Sequence, residues 1–282
     1  MRKKLALCAV LFAWTLIWVP QLQALTIGTF NMEYFTVKGG KAYTSDDCAH
    51  LAKLIETSGA DLLALQEIVE NRSLEYLLDN YLPQWSYTGN QTEGKQNLFF
   101  IWNKNKINIT TPIEPLFTED TINWGGKVVP LFRRHPIKAT FREVETGAEF
   151  SVINVHLRSL GTAGSKDRLA AVAMNNGIRQ AQVIKLNHAA EEEKGPLFIL
   201  GDFNSVEVTG ATFPFFPLTE EHSYDDFQCT IDHIGYVNLA PSKNWRIRVI
   251  ETSIPRRSVG GRQHPDHDIV VLSMPDLLQS NL

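Results

Sequence analysis

The chain is poor in cysteine, in positive charge and in long apolar runs. Three cysteines in 282 residues, Cys8, Cys48 and Cys229, cannot build a disulfide-stapled scaffold, and none has the spacing of a zinc site. A net charge of -4 excludes a protein that grips nucleic acid by bulk charge alone. It leaves room for a nuclease whose bound cations or local arginines make the site attractive. The apolar run at residues 5–19 falls short of the ~20 residues a membrane span needs. No low-complexity tract and no internal repeat is present.

The flanks of that run define it. Met1-Arg2-Lys3-Lys4 precedes it, and Pro20 and Ala24 follow, the pattern of a secretory signal peptide over residues 1–24, cut after Ala24. Residues 25–282 are then long enough for one large α/β domain. Losing Arg2, Lys3 and Lys4 takes the net charge from -4 to about -7. The expected product is secreted or periplasmic and monomeric, without stable membrane insertion after cleavage. Export also permits a disulfide between Cys48 and Cys229.

Apolar periodicity and turn residues predict strands at 25–30, 61–66 and 197–200, and adjacent strands at 98–102 and 107–109 around the turn 103–105. An antiparallel pair is expected at 136–143 and 149–155, and short strands around Ile231, Ile247 and Ile269. Helices are expected at about 45–56, 73–80 and 169–192, with a Pro- and Phe-rich loop at 206–227. This pattern reads as packed sheets with helices outside.

Five short polar clusters each close an apolar, β-like run. They are Phe30-Asn31-Met32-Glu33, Leu65-Gln66-Glu67, Asn154-Val155-His156-Leu157, Gly201-Asp202-Phe203-Asn204 and His264-Pro265-Asp266-His267-Asp268; Ile231-Asp232-His233 is a sixth. An ionisable group at a buried strand end is costly unless it is paired, hydrogen-bonded or metal-bound. Alone, each has a bland reading, a turn-forming Asn, a capping Glu or a satisfied core histidine. Together they suggest one pocket. Carboxylates and amides without cysteine suit Mg²⁺, with Mn²⁺ or Ca²⁺ as alternatives, better than zinc. Two separated histidines suit acid–base work or anion binding. Such a set fits attack on a phosphate ester.

In this order the clusters resemble the endonuclease/exonuclease/phosphatase superfamily, most closely secreted nucleases of the DNase I type. Gly201-Asp202-Phe203-Asn204 and Pro265-Asp266-His267-Asp268 carry most of the resemblance, which covers nearly the whole chain after residue 24. It implies a four-layer α/β/β/α sandwich of two mixed sheets, with the site in a groove at one end. Glu67 is implied as metal ligand, with Asp266 facing the metal or a second cation. His267 is implied as general base or stabiliser of phosphoryl charge, oriented by Asp232. Asp202 would orient water or protonate the leaving oxygen, Asn204 would bind phosphate, and His156 would donate to a phosphate oxygen. Asn31, Arg133 and Arg134 would bind substrate. Alternation along a strand would turn Asp266 and His267 to opposite sides, would let Asp202 and Asn204 share a face, and would turn His233 away from the site.

Three departures from the pattern stand out. No acid occupies the stretch Lys95-Gln96-Asn97, where those nucleases support the first histidine, and Glu93 is the nearest. Val69 stands in place of a groove-reading arginine, and Glu207 in place of a paired cysteine. The expected function is a metal-dependent phosphodiesterase acting on DNA or RNA. The alternatives are a phosphatase or phospholipase C-like enzyme on small or lipid phosphate esters, with Phe213-Pro214-Phe215-Phe216 imitating a membrane-docking hairpin, and an inactive binding module. The Gly- and Ser-containing loop 159–166 and the helix after it are where substrate choice is expected.

Overall fold

The strand and helix patterns read above resolve into two sheets with helices outside. The computed structural model describes residues 24–40, 42–218, 222–252, 254, 265–275 and 277. The leader expected over residues 1–24 lies outside them, Ala24 apart. In chain order the elements are β1 (Leu25–Phe35), α1 (Ser45–Ser58), β2 (Leu62–Ile68), α2 (Asn71–Tyr81), β3 (Trp85–Asn90), β4 (Asn97–Asn103), β5 (Ile107–Ile109), β6 (Glu114–Pro115), β7 (Thr121–Trp124) and β8 (Lys127–Pro130). There follow β9 (Ile137–Glu143), β10 (Glu149–His156), α3 (Arg168–Glu192), β11 (Leu197–Asp202), β12 (Asp232–Val237), β13 (Arg246–Ile250) and β14 (Ile269–Met274). Among the described residues, no helix is long and apolar enough to cross a membrane.

One sheet runs β13-β14-β1-β2-β4-β3. The other runs β12-β11-β10-β9-β5, with β6 also pairing β9. The pairs β1–β2 and β10–β11 are parallel and their outer neighbours antiparallel, so both sheets are mixed. Successive side chains on a strand face opposite ways, and that alternation builds the layers. Ile27, Leu62, Ala64 and Phe100 of the first sheet meet Phe141, Phe150, Val152, Phe198 and Leu200 of the second. Edge and stacked ring contacts at 5.4–6.1 Å link Phe100, Phe141, Phe150 and Phe198 through this core. The residues between them point outward. Leu63 and Leu65 pack with Leu51, Ile55 and Leu77 of α1 and α2, and Ile153, Val155 and Ile199 with Ile178, Val183 and Leu186 of α3. The layers therefore run α/β/β/α.

Local chemistry sets the helix ends. Thr44 and Asp47 form a reciprocal capping box at the start of α1, and Gly59 ends it with φ of 72°, a conformation glycine adopts without a Cβ penalty. Asp167 caps α3 by accepting from the Ala170 amide at 3.0 Å.

Several expectations need correction. Residues 98–102 and 107–109 are not neighbours in one sheet. Asn103 to Asn105 form a corner that carries the chain from β4 in the first sheet to β5 in the second, where β5 pairs with β9. Trp102 and Ile107 both bury in the core between the sheets, so the corner spans the sandwich. The β7–β8 hairpin was not foreseen. It turns on Gly125 and Gly126, both at positive φ, and lays Trp124 over α3 at Gly177, where a Cβ would sit 2.5 Å from the ring. Phe213 and Phe216 are only 5% and 9% exposed, and this segment packs against β12. Cys48 and Cys229 are both free thiols; the disulfide that export would permit is not formed.

One polar contact crosses the apolar middle. Gln66 Nε2 of the first sheet donates to Asn154 Oδ1 of the second at 2.8 Å, and Asn154 Nδ2 donates back to the Leu65 and Phe99 carbonyls at 2.9 Å each. All are buried. Asn154→Leu removes the side-chain donor of the Leu65 and Phe99 carbonyls, while Gln66 Nε2 keeps Thr29 Oγ1 and the Ala64 carbonyl. At ~1–3 kcal/mol for each of the two carbonyls, the expected loss is about 2–6 kcal/mol in urea unfolding. An unchanged unfolding midpoint would show that the contact does not join the sheets.

Candidate active site

At one end of the sandwich the inward-facing rows turn from apolar to polar. Ile27 and Thr29 lead to Asn31, Leu62 and Ala64 to Gln66, Val152 and Asn154 to His156, and Phe198 and Leu200 to Asp202. Strand register then sets the polar residues side by side: Asn31 beside Gln66, His156 beside Asp202, and Asp202 beside Asp232. Gly201, between β10 and β12, has φ of 144°, and a Cβ there would lie 2.0 Å from the Val155 carbonyl oxygen. Only glycine lets β11 approach so closely.

Strict alternation would send Glu67 to the opposite face from Gln66. A register shift between Leu65 and Ile68 breaks it, and Glu67 takes φ of 60°. Bulges of this kind re-aim side chains near functional sites. Glu67 Oε2 accepts from the Tyr34 amide at 3.2 Å, and Oε1 from Gln96 Nε2 at 2.7 Å. Tyr34 is itself at φ of 50°, and Asn204 at 51°. Left-handed backbone at non-glycine residues costs of order 1–3 kcal/mol and gathers at functional sites.

Asp202 is the hub. Its Oδ2 lies 3.1 Å from Asn31 Nδ2, 3.3 Å from His156 Nε2 and 3.9 Å from His267 Nε2, while Oδ1 accepts from the Asn204 amide at 2.7 Å. The Asn204 side chain donates to the Leu157 carbonyl at 3.3 Å. Asp202 and Asn204 are thus joined by a turn, not by a shared strand face. His267 Nδ1 lies 2.8 Å from Asp232 Oδ2, a charge-assisted hydrogen bond that orients its ring. Asp232 also accepts from Ser223 Oγ at 2.8 Å, and Ser223 accepts in turn from the Ile231 and Asp232 amides. The Tyr224 ring lies 4.7 Å from that of His267.

Asp266 and His267 do not diverge as strand neighbours would. They precede β14 in a bend, and Asp266 Oδ1 lies 4.0 Å from His267 Nε2. His233 turns away and meets the Ser205 carbonyl at 2.7 Å. Of the two arginines, Arg134 is drawn into the centre. It donates to Gln96 Oε1 at 2.8 Å and to the carbonyls of His156 and Leu157. Arg133 is exposed. Gln96 therefore serves Glu67 and Arg134, not His156, whose buried Nδ1 has no hydrogen-bond partner. Glu93 is exposed, and Asn97 is spent on the Ile68, Val69 and Gly94 carbonyls. Sequence reasoning missed Ser223, Tyr34 and Tyr224, and nothing in their local pattern distinguished them.

Burial and charge set the protonation states. Burial alone would lower the His267 pKa, but Asp232, with Asp202 and Asp266 behind it, pushes it up to about 10. Burial raises Asp202 to about 7, against the pull of His267 and Arg134. Burial also raises Glu67, with His267 and Arg134 opposing. His156 is held well below its ordinary value by burial, then by the charges of Arg134 and His267. Four carboxylates, Glu67, Asp202, Asp232 and Asp266, thus face two cationic groups, Arg134 and His267.

That surplus of oxygen donors and negative charge fits a hard divalent ion. Among the described residues no three acidic, His or Cys side chains converge into a cage. Mg²⁺ needs none, since it is commonly held by one or two carboxylates together with waters and substrate phosphate. Of the buried acids, Glu67 is the one that could hold it.

The layered fold and this seam of buried acids and histidines define a hydrolase of the α/β/β/α sandwich class. Residues 28–259 match the Endonuclease/Exonuclease/phosphatase family, and the chain belongs to it. Members of this family are phosphoric ester hydrolases that generally use divalent metal ions. The match stops short of His267, whose place in the site rests on the geometry above. Similar solved structures include humanized Danio rerio TDP2 (TM-score 0.64, 14% identity, 89% of this chain and 98% of that one). The mannosyl-6-phosphatase Bt3783 of Bacteroides thetaiotaomicron has TM-score 0.60 and 17% identity, over 88% and 98% of the two chains. The human Nocturnin catalytic domain has TM-score 0.56 and 14% identity, over 89% and 93%. At these identities the likeness is one of fold. No curated protein matches by sequence.

The raised pKa values have a stability consequence. A proton held more tightly when folded stabilises fully below the unfolded pKa and ceases to do so above the folded one. For Asp202 that loss runs from about 3.8 to about 7, and for His267 from about 6.5 to about 10. In chelator, the melting temperature should fall as pH rises through this range, and His267→Gln should flatten the fall above about pH 7. An equally steep fall in the variant would contradict the assignment.

Proposed function

We propose that this protein is an exported, divalent-metal-dependent phosphodiesterase that hydrolyses nucleic acid by in-line attack of water on phosphorus. The observation that carries the reading is the convergence on Asp202 Oδ2 of Asn31, His156 and the Asp232-bound His267, beside the re-aimed Glu67. A divalent ion held by Glu67, with Asp266, supplies positive charge to the attacked phosphate and the leaving oxygen when bound. The chain's own residues do the rest. Asp202, with its pKa near neutrality, accepts the proton of the attacking water. His267, protonated through Asp232, stabilises phosphoryl charge and is not the base. Neutral His156 and the amides of Asn31 and Asn204 donate to phosphate oxygens and hold them in line. The solved TDP2 complex with a single-strand DNA product, on the same fold, supports a nucleic-acid substrate.

A second reading is a phosphatase of small phosphate esters. The acidic net charge favours it, as does the sugar-phosphatase relative of like fold.

The test is supercoiled plasmid incubated with purified protein, with Mg²⁺ and with chelator. Metal-dependent nicking is expected, and His267→Ala should lower the rate by ~10²–10³, the scale of one lost transition-state donor. A loss under tenfold would remove His267 from the mechanism. Intact plasmid with turnover of small phosphate esters would select the second reading, and no turnover of either would overturn both.

A further inference from the structure

Beside the proposed centre, sharing Gln96, Arg134 and His156 with it, lies a cavity of ≈ 280 Å³. Its lining carries Lys95, Arg133, Arg134 and Arg158, with His135 and His156, and no carboxylate. In a chain of net charge -4 Lys95, Arg133 and Arg158 add positive charge here to Arg134, whose acidic counterparts, Asp202 and Glu67, lie in the neighbouring centre. The two lining histidines each bury an Nδ1 that has no hydrogen-bond partner.

Arg158 is held there by an unusual investment of helix α3. Its Nε donates to Asn175 Oδ1 at 2.7 Å, its amide to Gln182 Oε1 at 2.9 Å, and its carbonyl accepts from Arg179 Nη1 at 2.8 Å. Asn175, Arg179 and Gln182 form one helical stripe, and all are buried, at 2%, 7% and 3% exposure. Apolar side chains in such a stripe would cost less to bury. Here the three polar ones hold Arg158 by its amide, carbonyl and Nε while also bonding Gly161, Asn176 and Leu131, and so fix its position beside the cavity. Burial, and then the charge of Arg133, lower the pKa of Arg158. The neighbouring guanidinium groups repel, and a bound anion offsets that repulsion.

We propose that this cavity is a second phosphate subsite, which takes a phosphate of the substrate other than the one attacked, and that Arg158 is its principal ligand. The proposal rests on the phosphodiesterase reading of the neighbouring centre. The two sites share a wall, because Gln96 donates to Glu67 while accepting from Arg134. One substrate can fill both only if it carries two phosphates on one scaffold. Arg158 sits at the start of the segment that follows His156, the part of the chain expected to individualise substrate choice.

Two measurements on the full chain test this. The first compares kcat and KM, with Mg²⁺, for a thymidine dinucleotide without terminal phosphate and for its 5′- and 3′-phosphorylated forms. The second is calorimetry of inorganic phosphate binding in chelator, which reads the subsite without catalysis. One phosphorylated form is expected to be preferred through KM by roughly tenfold or more, the scale of a charge-assisted hydrogen-bond pair. Arg158→Gln should erase that preference and weaken phosphate binding by a similar factor. Arg158→Lys, which keeps the charge but loses the planar fork, should restore part of both. Turnover with no preference for a second phosphate, and phosphate binding indifferent to Arg158→Gln, would overturn the subsite. Phosphate binding that depends on Arg158 without turnover of any dinucleotide would support the subsite and overturn the nuclease reading instead.

Discussion

The hydrogen bond from Gln66 to Asn154 is the contact on which the site depends. Asn31, Glu67 and His267 come from the sheet that contains β1, β2 and β14. His156, Asp202 and Asp232 come from the sheet that contains β10, β11 and β12. Neither sheet alone holds half a mechanism. The aromatic core between them sets their separation, but apolar burial is non-directional and tolerates sliding. A buried amide pair that must satisfy both its own ends and two backbone carbonyls does not. It pins one sheet against the other within two residues of His156 and one residue of Glu67.

The same burial that makes the site rigid makes its charges interact strongly. Glu67, Asp202 and Asp232 are buried, so each must find a partner or a proton. Asp232 finds His267 and Ser223, Glu67 finds Gln96 and the Tyr34 amide, and Asp202 is left among donors it shares with both sheets. The result is a division of labour by environment. One histidine is driven charged by a carboxylate behind it, the other is driven neutral by burial and then by the cations around it. The carboxyl between them is brought to a pKa near neutrality. Two residues of the same type can thus carry opposite protonation states a few ångströms apart.

Much of this was legible in the letters, for a physical reason. Period-two alternation places every second residue of β1, β2, β10 and β11 on the inner face, so a polar residue at the end of such a row has to lie at one end of the sandwich. Asn31, His156 and Asp202 could be found that way, and the sandwich itself was implied by the family that the ordered clusters resemble. What alternation could not supply is what breaks it. Glu67 reaches the site through a bulge and a left-handed backbone, and Asp266 nears His267 in a bend outside any strand. Arg133 and Arg134 look alike in sequence, and only the carbonyls of His156 and Leu157 choose between them. The corner from β4 to β5 resembles a hairpin turn because short-range turn chemistry does not record which sheet the chain enters next.

The most direct test of the seam as the reactive centre is anomalous diffraction from a crystal soaked in Mn²⁺. A single strong peak bonded to the Glu67 carboxylate, between the strand ends of the two sheets, is the expected result. A structure in which Mn²⁺ binds only elsewhere, with Glu67 still held by Gln96 and the Tyr34 amide alone, would contradict it.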